Sequence, residues 1–443
     1  MLNIRSLVSS ALHQIGKQIP TLADRQMSGA AVSVYAIRLG GAGLGYVVQV
    51  VLAQFLGALN YGVFAMMWIL TTVAAQLSAA GFNESSNRFL PGYLAQGDHA
   101  HAKGFVRLAK LLTLGVSVAV MVIGICTLLL GRTWISQTYF WPAILALLCI
   151  PFATWTHLAE AIAISRSWMT RGLMPTYVLR PMVLTIAVSA GIGVFSLPGS
   201  AETAVGALLV ACATIALLQS GLLRGLLAKE LGPGKPQYKA REWIATSALL
   251  IMSQGFVILA TNVDVLMLGM LTTPDDVGVY FAAAKSVAVV SFISIAVGNA
   301  MMRRLAEANA MAETKEFAMH FMRARQWMLW PSVLLGMAAT AGAPLFMRIF
   351  GPEFTGGAVY VAILMGGVYV QAAAGPLQEA IVVLGKQRQL ALVTFLSLFV
   401  NVALSLVLVL WIGVVGAAIG SVVAAGFRIF CLRRLIPAHL TSI

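Results

Sequence analysis

The chain has 443 residues, 60% of them hydrophobic and 10% charged, with a mean hydropathy of +0.89. So few polar side chains cannot cover a soluble globule, and the chain belongs in a bilayer. Its formal charge of +14 would suggest nucleic acid in a soluble protein, but the basic residues sit between hydrophobic runs, so they report topology and exclude a nucleic-acid partner.

Residues 1–31 carry Arg5, Lys17 and Arg25 beside Leu2, Ile4, Val8, Leu12, Ile15 and Ile19, ending near Pro20. This predicts a cytoplasmic, interfacial amphipathic helix. A signal peptide would need a continuous apolar stretch with a small-residue cleavage site.

A spanning helix takes about 20 mostly apolar residues. The expected cores are 32–56, 61–81, 106–130, 140–164, 174–195 and 202–224, then 244–270, 277–302, 326–350, 358–384, 388–412 and 414–432. These are about twelve spans in two six-helix lobes, 32–224 and 244–432, with a linker at 225–243 and a tail at 433–443. The fold class is an all-α polytopic membrane protein.

The even-numbered loops and both termini collect the basic residues, among them Arg88, Lys103, Arg107, Lys110, Arg166, Arg171, Lys229, Lys235, Arg303 and Arg323, whereas the odd-numbered loops hold Arg132 and Arg348. The positive-inside rule then places both termini in the cytoplasm and the Asp275-Asp276 turn outside. Trp134, Trp141, Trp168, Trp243, Trp327, Trp330 and Trp411 lie near predicted helix ends, as interfacial aromatics do.

The halves repeat. Residues 143–162 align without a gap on 362–381, pairing Glu160 with Glu379, and Val205-Gly206-Ala207 echoes Val415-Gly416-Ala417. With six helices per half the repeats are parallel, and transporters so built bind substrate where the lobes meet.

Several chemistries are missing. There is no GxxxxGK[ST] loop and no HExxH, and Gly41 and Gly45 fall inside a span, where they favour close packing. Cys126, Cys149, Cys212 and Cys431 lack CxxC spacing and read as core residues, and His99 and His101 read as a solvated loop. The longest external connection, 131–139, is too short to hold acid-base groups in water, which argues against an enzyme, and no cofactor or metal is implied.

An ionisable side chain at the bilayer centre costs roughly 2.5–3.5 kcal/mol, so those inside spans are functional candidates. They are Arg38, Glu160, Arg180, Asp264, Lys285 and Glu379. Arg38 and Arg180 lie about 9 Å inside the cytoplasmic boundary, facing a cationic cavity or snorkelling to headgroups. Asp264 and Lys285 lie at similar depth and pair with each other or contact substrate or a coupling ion. Glu160 and Glu379 fit a gate or helix-end salt bridges, and Glu84 with Arg88 an ordinary i, i+4 pair. Gln49, Gln76, Gln254, Asn262 and Gln371 suit sugar hydroxyls or interhelical hydrogen bonds, and Trp155 suits stacking on a sugar.

Leu52 to Trp68 (LAQFLGALNYGVFAMMW), Asn87 to Asp98 (NRFLPGYLAQGD) and Val263 to Lys285 (VDVLMLGMLTTPDDVGVYFAAAK) resemble the polysaccharide-transport flippases of the multidrug/oligosaccharidyl-lipid/polysaccharide (MOP) superfamily. That resemblance implies two six-helix lobes in a V, like that of the multidrug (MATE) transporters, and a central cationic cavity. It also implies export of an undecaprenyl-diphosphate-linked repeat unit for O-antigen, capsule or exopolysaccharide across a bacterial inner membrane. It assigns Arg38, Arg180 and Lys285 to the lipid diphosphate and leaves Asp264, Glu160 and Glu379 as coupling or structural charges. The implied partners are the polyprenyl-diphosphate-linked glycan, membrane lipid, and polysaccharide polymerase and export machinery, with a monomer sufficing. The alternatives are a MATE-type exporter of organic cations driven by Na+ or H+, which would want unpaired acidic groups in its cavity, and a non-transporting scaffold of a polysaccharide synthase.

Overall fold

A computed structural model describes residues 25–232, 234–437 and 440. The amphipathic helix expected at the N-terminus, residues 1–24 above all, lies outside the described residues. All regular structure among the described residues is helical.

The helices are α1 (Arg25–Ser78), α2 (Phe82–Ala95), α3 (His99–Leu130), α4 (Gln137–Ser165), α5 (Met169–Gly193), α6 (Ala201–Leu231), α7 (Ala240–Ala260), α8 (Val263–Leu271), α9 (Pro274–Ala310), α10 (Thr314–Ala341), α11 (Ala343–Phe350), α12 (Ala358–Ala374), α13 (Leu377–Val383), α14 (Gln387–Ile412) and α15 (Val414–Leu435). Ten of them are long and apolar enough to cross a membrane, or eleven when α10 and α11, bent by 65°, count as one span.

The shortfall from about twelve lies in α1, which is two helices. Gly57, at φ 69° and ψ 173°, breaks it. From Ala36 the helix runs 43 residues, about 65 Å at 1.5 Å per residue and twice a hydrocarbon core. Its two limbs run antiparallel. Gly41 in the first touches Tyr177 and Gly81, just past the second, touches Ser247, both near helix starts, whereas Gly57 between them meets Glu353, and Gly62 meets Pro274. The Tyr61 hydroxyl donates back across the hairpin to Gln49 Oε1 at 3.0 Å.

The molecule thus has a basic end, carrying the starts of α3, α5 and α7, and an acidic end, carrying Asp275, Asp276 and Glu353. The lobes are pressed together at the acidic end. A Cβ on Gly62 would stand 1.7 Å from the Pro274 carbonyl, and one on Gly278 2.4 Å from that of Ala58, so only glycine admits these contacts. Glu353 accepts the Ala58 amide at 2.7 Å, and Tyr61 packs against Phe281, Phe350 and Phe354. Toward the basic end Leu39 in the first limb of α1 and Ile295 in the second half of α9 are exposed.

Several local expectations are corrected. Trp243 is fully buried, its indole N–H donating to Tyr93 Oη at 2.9 Å, so it anchors α7 to α2 rather than sitting in an interface; Trp134 and Trp411 are exposed. His99 and His101 begin helix α3, capped by Asp98, whose Oδ1 accepts the His101 amide at 3.1 Å. Arg88 lies over the Phe89 ring at 5.7 Å instead of pairing with Glu84. Cys149 and Cys212 are buried, Cys126 is exposed, and all four thiols are free.

Candidate functional site

A cavity of about 230 Å³ lies where the first limb of α1, the middle of α5 and the middle of α9 meet, bridging the two lobes. Its charged lining residues are Arg180 and Lys285, and no acidic residue lines it. Tyr46, Gln49, Trp68, Thr176 and Tyr177 supply the polar and aromatic wall.

Local sequence puts Arg180 there. Pro175 opens a π-helical turn, Pro175–Leu179, directly before Arg180, and Pro181 follows with no amide hydrogen to give the ladder. Gly41 lets α1 lie on this turn, since a Cβ there would come within 2.7 Å of the Tyr177 Cβ and carbonyl. The Arg180 guanidinium stacks on the Trp68 ring at 5.2 Å. Its Nε is buried without a hydrogen-bond partner, and an unpaired buried donor costs about 1–3 kcal/mol. From the other lobe, Lys285 places its ammonium 4.7 Å over the Phe281 ring.

Arg38 is exposed and is not among the lining residues. It precedes Gly41, Ala42 and Gly45 by three, four and seven residues, so it shares their face of the helix and stands at the basic mouth of the cavity.

Asp264 and Lys285 form no ion pair within 4.0 Å, although each lies within electrostatic reach of the other. The Asp264 carboxylate accepts the Tyr280 hydroxyl at 2.6 Å and the Val265 amide at 2.9 Å, and lines a different cavity, of about 440 Å³, inside the C-terminal lobe. Gln371, Thr394, Ser397, Asn401 and Arg428 share that second cavity. Of the uncharged candidates, Gln49 thus lines the first cavity and Gln371 the second, while Asn262 is spent on the Ile258 carbonyl at 2.8 Å.

The repeated carboxylates each face a guanidinium. Glu160 is within electrostatic reach of Arg180 and Arg38, and Glu379, held against Gly298, faces Arg428. Neither makes an ion pair within 4.0 Å; the ion pairs among the described residues include Arg166 with Glu230 and Arg303 with Glu307.

Two residues escaped the sequence reading. Arg428 lies in the last turn of an expected span, where a basic residue reads as a headgroup contact, yet its Nη2 donates to Gln378 Oε1 at 2.8 Å inside the lobe. His157 lies beside Arg180 in a small pocket with Trp68 and Cys212; the rule that flagged the other intramembrane charges applies to it equally. Among the described residues no cluster of three His, Cys, Asp or Glu could hold a metal.

The profile of the family described as "Polysaccharide biosynthesis protein" matches residues 30–309. The chain belongs to this family. It is also 26% identical over 221 residues to a "Probable low-salt glycan biosynthesis flippase" of Haloferax volcanii, a stretch covering 47% of this chain and 43% of that protein. The chain therefore matches less than half the length of that relative.

Solved structures extend the fold to nearly the whole family member. An inward-facing MATE multidrug resistance transporter of the MOP superfamily superposes with a TM-score of 0.74 over 89% of this chain and 96% of that one, at 14% identity. The lipid II flippase MurJ, in an inward closed conformation, gives 0.69 over 91% and 87%, at 12%. A MOP superfamily transporter from Pyrococcus furiosus, described as having a binding pocket of reverse polarity, gives 0.65 over 94% and 96%, at 13%. The fold is thus that of these transporters, as the resemblance of the sequence implied.

Proposed function

We propose that this protein is a secondary transporter that flips an undecaprenyl-diphosphate-linked oligosaccharide, a precursor of O-antigen, capsule or exopolysaccharide, across a bacterial inner membrane. The observation that carries this reading is the inter-lobe cavity with Arg180 and Lys285 and no acidic lining residue. A diphosphate crossing a membrane needs compensating charge and donors in a fixed fork, which Arg supplies. The glycan relative supports the substrate class.

In this reading the basic end faces the cytoplasm, with both termini there, because loops rich in Lys and Arg stay inside. The head group enters past Arg38 and displaces the field of Glu160 from Arg180. The diphosphate then engages Arg180 from one lobe and Lys285 from the other, while the polyprenyl tail stays in lipid. Drawing the two cations together around the anion favours closure of the basic end, and opening then falls to the glycine contacts of Gly62 and Gly278 at the acidic end. Each negative charge moving outward gains about 2.3 kcal/mol per 100 mV of potential, roughly 4 to 5 kcal/mol for two charges, so no nucleotide is needed. Asp264, in the adjoining cavity, and Glu379 with Arg428 are structural charges of the C-terminal lobe, and coupling of a cation or proton through Asp264 is the alternative.

The test is outward movement of a fluorescent undecaprenyl-diphosphate sugar in liposomes containing the purified monomer. Arg180→Ala and Lys285→Ala are expected to lose flipping while remaining folded, and Arg38→Ala to slow it. Normal flipping in both Arg180→Ala and Lys285→Ala would overturn the assignment, and efflux of organic cations without any lipid flipping would replace it with a MATE-type exporter.

A further inference from the structure

On the outer face of the N-terminal lobe, away from the inter-lobe cavity, α3, α4 and α6 enclose a groove of about 300 Å³. Its lining includes Lys110, Trp155 and Arg224 and no acidic residue. Lys110 folds its ammonium over the Trp155 ring at 5.1 Å, and Trp155, read from sequence as a sugar platform, is buried and donates its N–H to the Ala216 carbonyl at 3.1 Å. Arg224 lies within electrostatic reach of Lys110 and adds a like charge. Neither cation belongs to an ion pair among the described residues.

The surroundings are those of a lipid-facing wall. Leu111 and Leu217 are 69% and 71% exposed, with Leu114 and Phe152 also outward. Lys110 is eleven residues from the start of α3 and Arg224 seven from the end of α6, about 16 Å and 10 Å from the basic ends of those helices at 1.5 Å per residue. Helix α3 has 32 residues, about 48 Å against a core of about 30 Å, so with the surplus shared between the ends Arg224 falls at the edge of the hydrocarbon layer and Lys110 about 7 Å inside it. A lone snorkelling lysine would reach for water; here two cations converge on one groove with nothing to neutralise them, and apolar side chains flank it for acyl chains.

We infer that this groove binds the phosphate headgroup of an anionic phospholipid from the leaflet at the basic end. A phosphodiester between Lys110 and Arg224 removes their mutual repulsion, and basic pockets between membrane helices recognise such headgroups. The occupant is a bulk lipid such as phosphatidylglycerol, because the groove lies on the outer wall of one lobe and shares no residue with the inter-lobe cavity.

The test is native mass spectrometry of the purified full chain titrated with phosphatidylglycerol or with phosphatidylcholine of matched acyl chains. Wild type is expected to retain phosphatidylglycerol in preference. Lys110→Gln with Arg224→Gln is expected to weaken that retention roughly 30-fold, and each single change about fivefold. Lys110→Arg and Arg224→Lys should keep it, as should Arg107→Gln, an exposed cation outside the groove. Equal retention of the two lipids by wild type, or an unchanged preference in the folded double variant, overturns the proposal. Should the double variant fail to fold, loss of the preference in the single Gln variants but not in their charge-conserving counterparts decides in its favour, and equal behaviour decides against. Binding of undecaprenyl diphosphate in place of phosphatidylglycerol also overturns it, and makes the groove a docking point for a diphosphate lipid.

Discussion

The two cavities differ in the wrong order for size to explain them. The larger, about 440 Å³, lies within one lobe and holds Asp264 and Arg428, so its charges balance. The smaller, about 230 Å³, lies between lobes and holds two cations and no acid. A cavity lined by both signs is internally compensated, whereas one lined by two cations favours an anion. Charge and location, rather than volume, are what the proposed substrate path rests on.

Reversing the imbalance should have the largest effect. Arg180→Glu places a carboxylate opposite Lys285 and is expected to lower flipping on the order of 100-fold or more, read in the liposome assay. The matched change in the other cavity, Asp264→Asn, should cost far less, and equal losses would erase the distinction between the cavities.

Next comes the closed end. Gly62→Leu drives a side chain into the Pro274 carbonyl, costing about 3 kcal/mol or more in the state seen here. It should lower the melting temperature in detergent and make a cysteine introduced at Val279 accessible to an impermeant thiol reagent. Unchanged melting and accessibility would mean that this contact does not hold the end shut.

A smaller loss is expected from Asp264→Ala. It removes the acceptor of the buried Tyr280 hydroxyl, worth about 1–3 kcal/mol, and Asp264→Asn, which keeps an acceptor, should restore most of it by the same melting measurement. Full rescue of stability without rescue of transport would assign Asp264 to coupling.

The smallest effect lies outside the membrane. The His101 amide holds the Asp98 carboxyl below its ordinary value of 3.8. A depressed folded value means that Asp98 stabilises the start of α3 above that pH and stops doing so as pH falls through the lower folded value. The melting difference between wild type and Asp98→Ala should therefore be flat from neutral pH down to about 5 and shrink below 4.

Much of this was legible along the chain. Burial of a helix in lipid is priced residue by residue, so hydropathy located the spans, and the Lys and Arg between them distinguished the two ends. The break at Gly57 could be anticipated from length, because no single span needs 43 residues. Depth along each helix was legible too, which is why Arg180 and Lys285 could be nominated.

Which way each charge faces was not. Asp264 and Lys285 lie at similar depth on adjacent helices, yet they line different cavities, because rotation about a helix axis is decided by packing. Lys110 and Arg224, 114 residues apart, meet only once α3 and α6 close around Trp155. The sequence by itself determined the membrane class, the helices and their polarity, since these follow from local transfer free energies. Only the tertiary structure decided that Arg180 and Lys285 share a space that no acidic residue lines, since that depends on how two lobes, folded from distant segments, approach through Gly41, Gly62 and Gly278.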